Sequence, residues 1–240
     1  DRNTTGIYVT HDLAVIAQIA DSITVLRGGE VREIATTDAL IRAPVDDYSR
    51  SLLAAANPPL RLTTAQQEGA APVLEVSGLL AGYGGVDASG APRIPVLRDI
   101  DLAIAPGRAL GVIGESGSGK STLARVIAGL TPLARGDVKL AGERLPPTVA
   151  GRSKDQLRRI QIVFQMADTA LNPRVTVGDI IGRPLTFYFG LTGEARDKRV
   201  RELLELTHLP ASVGTRRPGD LSGGQKQRVN LARALAAKPD

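Results

Sequence analysis

One short stretch has residue types and a spacing suited to chemistry on phosphate: GESGSGKS, residues 114–121, which fits G-x-x-x-x-G-K-[ST]. Gly117 and Gly119 let the backbone curl, so that the N–H groups of Gly114, Glu115, Ser116, Gly117, Ser118 and Gly119 can point inward at phosphate oxygens. Lys120 can then reach the β and γ phosphates of a nucleotide, the Ser121 hydroxyl can ligate Mg²⁺, and Thr122 is placed to contact the α phosphate. A Gly/Ser turn could match such a pattern by chance. Here an apolar run precedes the loop and an amphipathic pattern follows it, which is the context a phosphate loop needs. ATP or GTP binding is the reading these residues support.

The elements that must hold this loop are legible along the chain. TGIYVT (5–10) has the β-branched and aromatic content of a buried strand, and DLAVIAQIA has the apolar spacing of a helix starting at Asp12. SITVLRGGEVREIA reads as a hairpin, two alternating runs flanking Gly28 and Gly29, a pair that permits positive φ. Helical patterns follow at TTDALIRA and DDYSRSLLAAA. Residues 57–72, with two adjacent prolines and no sustained period, read as a linker. From residue 73 the spacing predicts a strand at PVLEVSGLLAGY, a Gly/Pro-rich loop, and strands near VLRDIDLAI and RALGVIG. The Gly-rich turn and a helix through Leu130 come next, then a strand at DVKLAG, a helix near Lys154 to Arg159 and a strand at IQIVFQ. Beyond Gln165 the pattern is mainly helical as far as Ala237. Alternating strands and helices predict an α/β domain with a helical insertion.

Composition removes several alternatives. The 240 residues include no cysteine, which excludes a disulfide framework, a cysteine nucleophile and thiolate zinc sites. Two histidines argue against an all-imidazole metal site. No apolar run approaches the roughly 20 residues that span a bilayer, so a membrane connection is expected to run through a partner. Lysine and arginine exceed aspartate and glutamate by 30 to 25, but the basic clusters at 151–159, 194–202 and 215–217 are interleaved with acids. Together with only 3% aromatics, this describes solvated faces, and no nucleic-acid partner is expected.

LSGGQKQRVNLARALAAKP (221–239) resembles the signature sequence of the ABC ATPases, with a full match over LSGGQ. The fold this implies is a P-loop ABC ATPase domain, with a RecA-like core, an antiparallel β subdomain and a helical subdomain. In that family Ser222, Gly223, Gly224 and Gln225 would form a second phosphate-binding helix cap, which closes on a nucleotide held by another domain's P-loop. Ser-Gly-Gly alone is a common helix start; the P-loop roughly a hundred residues upstream gives it weight. Further residues gain meaning from the same resemblance. Gln165, ending IVFQ, resembles the glutamine that contacts Mg²⁺ or attacking water. Tyr83 resembles the aromatic that stacks on adenine. His11, in YVTHD, resembles the switch histidine that hydrogen-bonds the γ phosphate. The run that follows it, with Asp12, Leu13, Ala20, Asp21, Ile23, Val25, Leu26 and Gly28, matches the family's usual continuation. His208 has no such context and reads as a helix-end residue.

The order of these features is unusual. In the family the switch histidine comes last, whereas here it comes first, and no apolar strand ending in Asp-Glu stands before Thr5 or before Asp240. The economical expectation is part of a tandem protein. Residues 1–56 would be the C-terminal part of one ABC ATPase domain, 57–72 a linker, and 73–240 a second domain that stops before Walker B. FQMADTALNPRVTVGDIIGRPL resembles the peptide and nickel importer branch, and DDYSRSLLAAANP partly resembles that branch's C-terminal HPYTRALL element, with Asp46-Asp47 in place of His-Pro. The resemblance implies ATP and Mg²⁺ as cofactors, transmembrane permease subunits, a solute-binding protein and a second ATPase domain as partners, and the cytoplasmic face of the cell membrane as location. Cargo choices are dipeptide, oligopeptide, nickel or glutathione. Lacking the glutamate and the Walker B aspartate, the 240 residues alone are expected to hydrolyse little ATP. A soluble ABC protein acting on ribosomes or DNA, or a non-catalytic nucleotide-binding fragment, are the alternatives.

Overall fold

The computed structural model describes residues 7–8, 13–56 and 71–240, and the chain divides into two compact units, Asp1–Gln66 and Gln67–Asp240. Most of the strand expected at 5–10, His11, and most of the expected linker lie outside the described residues.

The first unit follows the sequence pattern closely. Helix α1 (Leu13–Ile19) leads into strands β1 (Ser22–Arg27) and β2 (Glu30–Thr36), an antiparallel hairpin, and then helices α2 (Thr37–Arg42) and α3 (Asp47–Ala56). Gly28 and Gly29 turn the hairpin with φ of 63° and 85°, the doubly left-handed geometry that only glycine adopts without strain. Thr36 caps α2 by accepting from the Ala39 N–H at 3.3 Å. Asp46 caps α3 by accepting from the N–H groups of Tyr48 at 2.8 Å and Ser49 at 3.4 Å. The Glu33 carboxylate on β2 accepts from the N–H groups of Val45 and Asp46, at 2.9 and 3.1 Å, and these bonds, the one to Val45 foremost, hold its pKa below the ordinary carboxylate value. Arg27 lies 4.8 Å from the centre of the Tyr48 ring, so the start of α3 is fastened to both strands of the hairpin.

In the second unit, β3 (Leu74–Val86) and β4 (Pro92–Ile104) form a long hairpin, joined by β5 (Leu133–Leu140) and β6 (Glu143–Arg144). The sheet is antiparallel throughout, in the order β4-β3-β5-β6. Both long strands reach further into the Gly/Pro-rich segment than the sequence pattern suggests. Helix α4 (Lys120–Ile127) supplies Leu123 and Val126 to a core shared with Val76, Leu79, Ala81, Leu97, Val138 and Leu140. A register shift between Val76 and Leu79, with Gly78 at φ 54°, keeps both residues on the buried face despite their odd spacing. Gly136 passes so close to β3 that a Cβ there would sit 2.4 Å from the Gly78 carbonyl oxygen, which only glycine permits.

The rest is helical: α5 (Lys154–Arg159), α6 (Ala167–Ala170), α7 (Val177–Phe189), α8 (Gly193–Leu206) and α9 (Gly223–Ala236), with short 3₁₀ turns between them. Val177, Ile181 and Leu185 of α7, Leu203 and Leu204 of α8, and Val229, Ala232 and Ala236 of α9 close a second core. The α7 and α9 sets recur at three- or four-residue spacing, and Leu203 and Leu204 stand three and four residues after buried Val200, which puts each set on one stripe of its helix. His208 follows α8 with φ 55° and donates its N–H to the Glu205 carbonyl at 2.9 Å, the helix-end position its context suggests.

Two expected strands are corrected by the structure. Residues 108–114 and 160–165 form no strand, and among the described residues neither run has a ladder partner. Val112 and Leu110 are about half exposed, and Ile113 is 95% exposed. Apolar, β-branched runs of this kind belong to strands buried on both faces, and such a strand forms only where neighbours take up its N–H and C=O groups. The strands expected on either side of the Gly-rich loop's helix are thus not formed among the described residues, whereas the antiparallel β part and the helical part are.

Candidate functional site

The Gly-rich loop enters α4 with the geometry its sequence requires. Gly114, Gly117 and Gly119 have φ of 153°, 84° and 95°, and Gly119 is the residue that caps α4. A Cβ on Gly119 would meet the Leu97 and Val96 side chains at 3.0 and 3.1 Å, so this glycine also allows the loop to lie against β4. At Gly117 a Cβ would meet nothing within 4 Å, so only its φ demands glycine. Lys120 curls back into the loop and donates to the carbonyl oxygens of Gly114 and Glu115, at 2.7 and 2.6 Å, and to the Ser118 hydroxyl at 3.2 Å. These acceptors fix the ammonium at the mouth of the cradle. Ser121 is exposed at the first turn of α4.

Thr122 behaves differently from its neighbours. It is buried, and its hydroxyl lies 3.0 Å from the Tyr83 hydroxyl. This contact lowers the Tyr83 pKa below the usual phenol value, with Arg125 adding to the effect. It also ties the end of β3 to the helix behind the cradle while the Tyr83 ring stays 41% exposed. Beside the ring is a cleft of about 370 Å³, lined among others by Gly82, Val86, Pro92, Leu130 and Leu133. The cleft offers mainly apolar walls and backbone groups, which suits a flat heteroaromatic ring better than a charged group.

The LSGGQ stretch forms a separate cluster. Ser222 caps α9: its Oγ accepts from the Gln225 N–H at 3.3 Å, and the Ser222 N–H donates to Gln225 Oε1 at 3.0 Å. The serine oxygen is therefore occupied as an acceptor, while its O–H remains a donor that can point outward. Gly223 and Gly224 are exposed, with open space where a Cβ would be, so the N–H groups of the first turn are accessible. Gln225 is half-buried and its Oε1 is committed to the cap.

Gln165 is exposed, and its backbone is held by α9, where the Gln227 side chain donates to its carbonyl oxygen. Asn230 donates to the Phe164 carbonyl at 3.2 Å, Arg233 to the Ala170 carbonyl at 2.7 Å, and Lys226 pairs with Asp168 at 2.5 Å. Sequence reasoning missed these four. The signal was present in polar residues at 226, 227, 230 and 233, which fall on one face at helical spacing, but Gln225 and Arg228 beside them hide it in a polar first half of the helix. Asp240 pairs with Arg159, and its N–H donates to the Arg159 carbonyl at 3.1 Å. Among the described residues no cluster of three or more His, Asp or Glu side chains is placed to hold a metal ion.

A glycine-lined loop that turns into a helix at a lysine defines a P-loop domain. The family model described as ABC transporter matches residues 97–240, and the chain belongs to that family. A Brucella abortus relative, provisionally named a peptide import ATP-binding protein, is 47% identical over 149 residues, 60% of this chain and 45% of the relative. The glutathione import ATP-binding protein GsiA of Salmonella typhimurium is 33% identical over an alignment of 260 positions, 97% of this chain and 42% of GsiA. The chain thus spans less than half the length of these curated relatives. Among solved structures, the ATP-binding cassette MJ0796, a dimer in a post-hydrolysis state bound to ADP and Pi, superposes with a TM-score of 0.58 at 31% identity, covering 69% of this chain and 70% of that one. The cbiO1 protein of Clostridium perfringens, part of the transporter complex cbiONQ, has a TM-score of 0.58 at 25% identity, covering 70% of this chain and 63% of that one.

Proposed function

We propose that this chain belongs to the ATP-driven component of an importer that takes up peptides or the related small cargoes glutathione and nickel through separate membrane subunits. The observation that carries this reading is the GsiA alignment, which runs through both units in their order in this chain at 97% coverage. It supports a tandem protein in which residues 1–56 finish one ATPase domain and 73–240 begin the next, with 57–72 as the link. Among the described residues no helix is long and apolar enough to cross a membrane; attachment through permease subunits at the cytoplasmic face is part of this proposal.

The residues present fit ATP with Mg²⁺. The cradle is open at Gly117 and has an ammonium at its mouth and the Ser121 hydroxyl at the first turn of α4, a donor set matched to a phosphate chain and its counter-ion. The Ser121 hydroxyl would hold Mg²⁺, which would supply neutralisation of phosphate charge. Lys120 exchanges two neutral carbonyls for charged oxygens, a stronger set of acceptors for an ammonium. Loop N–H groups from Gly114 to Gly119 fix the phosphates in line, Thr122 positions Tyr83, and the Tyr83 ring covers the base at the apolar cleft. Gln165 orients water at this site. Ser222, with the N–H groups of Gly223 and Gly224, caps the phosphates at the other P-loop of the pair, where His11 orders the γ phosphate. Each site then draws on both domains, so closure of the pair accompanies nucleotide binding.

Titration of the purified chain with a fluorescent ATP analogue and Mg²⁺ tests the binding half of this reading. Saturable binding that Lys120→Ala weakens at least about tenfold is expected from the loss of a charge-assisted contact. Expression of the full-length protein with affinity capture tests the other half. Recovery of membrane permease subunits supports the importer, and recovery of RNA or ribosomes in their place overturns it.

A further inference from the structure

We infer that Arg152 is a positioning residue, which holds the C-terminal end of helix α4 so that the Gly-rich loop at the other end stays aimed at phosphate. This rests on the nucleotide-binding reading given above. Arg152 is only 6% exposed. Its Nη1 donates to the carbonyl of Ile127, the last residue of α4, at 2.7 Å, and its Nε donates to the Pro146 carbonyl at 3.1 Å. Nη2 is buried with no hydrogen-bond partner among the described residues. No carboxylate there offsets the charge, so the negative pole that Arg152 faces is the carbonyl end of α4. A buried cation without an ion pair is costly, and a long side chain on a short turn ordinarily carries its charge out to water. Here the fold makes room for it instead. A Cβ on Gly129 would sit 2.9 Å from the guanidinium carbon.

The neighbouring carbonyls of α4 are taken up locally: Ala124 accepts from the Ala128 N–H, Val126 from Gly129 and Arg125 from Leu130. Ile127 is served by a side chain 25 residues away, and beside it the Gly129 carbonyl accepts from the Val149 N–H at 3.0 Å. Leu123 and Val126 seat one side of α4 on the sheet. Apolar packing is non-directional and resists separation more than sliding along the helix axis, whereas these hydrogen bonds fix the axial position. The eight residues of α4 span about 12 Å, so a shift at Ile127 is carried to the N–H groups of the loop. By linkage, phosphate bound at the loop strengthens the Arg152 contact as much as the contact strengthens phosphate binding.

The test titrates the purified 240-residue chain with a fluorescent ATP analogue and Mg²⁺, and with competing tripolyphosphate, which has no base. Arg152→Met removes the charge and both contacts, and Arg152→Lys keeps the charge. Arg152→Met should weaken both ligands by the same factor, about fivefold or more, and Arg152→Lys should recover part of that loss. Urea unfolding reads stability separately. A folded Arg152→Met that loses stability yet binds both ligands like wild type overturns the proposal, and so does an equal loss in the two variants. Should Arg152→Met fail to fold, hydrogen exchange on wild type decides: tripolyphosphate should slow exchange at 114–121 and also at 128–131 and 149–152. A response confined to 114–121 overturns the proposal alone. No binding of either ligand by wild type overturns the nucleotide reading, and the proposal with it.

Discussion

Lys120, Tyr83 and Ser222 show how far a single side chain can be interpreted. Lys120 is held by oxygens of its own loop, so its removal costs the cradle a cation without opening the core. Lys120→Ala is expected to leave the thermal midpoint nearly unchanged while weakening nucleotide binding at least about tenfold, and calorimetry beside the titration separates the two. Tyr83→Phe keeps the ring and deletes the hydroxyl that meets Thr122. A loss of about 1 kcal/mol in unfolding free energy is expected, typical of one hydrogen bond, with nucleotide affinity retained; a large affinity loss would place the hydroxyl in the binding site rather than behind it. The loop glycines and Lys120 were readable from the motif because backbone φ and side-chain reach are local properties. The Tyr83–Thr122 contact was not, since 39 residues separate the partners and only sheet packing brings them together.

At the scale of elements, the helical part stands on its interlocked stripes. Leu203 is fully buried between α7 and α9, and Leu203→Ala should cost about 2–5 kcal/mol, read as a lowered urea midpoint. A charged pair reports on the same region. Arg196 donates to Asp179 at 2.6 Å and holds its carboxyl below the ordinary value of 3.8, helped by the Thr176 hydroxyl at 2.8 Å. A depressed carboxylate pKa means that the unfolded chain takes up protons first, so this stabilisation is complete above 3.8 and lost as pH falls through the lower folded value. The midpoint gap between wild type and Asp179→Asn should therefore be full at neutral pH and shrink in strong acid; a gap that stays constant would show that the pair contributes nothing through charge. Hairpin β1–β2 and helices α2, α3, α5 and α9 were legible because turn glycines and capping residues mark their ends. The runs 108–114 and 160–165 misled for the opposite reason. Their composition fits a strand, but strand formation depends on neighbours that composition does not reveal.

On the scale of the molecule, the tandem reading predicts composite sites. On that reading His11 would serve another P-loop than Lys120, and the catalytic glutamate would come from outside these 240 residues. The 240-residue chain should therefore hydrolyse ATP far more slowly than a complete ABC ATPase pair. A comparable steady-state phosphate release, abolished by Lys120→Ala, would overturn this. The alignment with GsiA through both units makes that protein's full-length architecture the natural comparison.

The sequence by itself determined the P-loop, the LSGGQ cap, the family they belong to and the ends of most helices, because each depends on residues within a few positions of one another. Only the tertiary structure decided that Thr122 faces Tyr83, that the Ser222 oxygen is engaged by Gln225, and that α9 holds the Gln165 segment through Asn230 and Arg233. The same limit left the apolar runs at 108–114 and 160–165 without a ladder among the described residues. Contacts between distant segments and strand pairing are set by which surfaces meet, and a local pattern encodes the surface but not its partner.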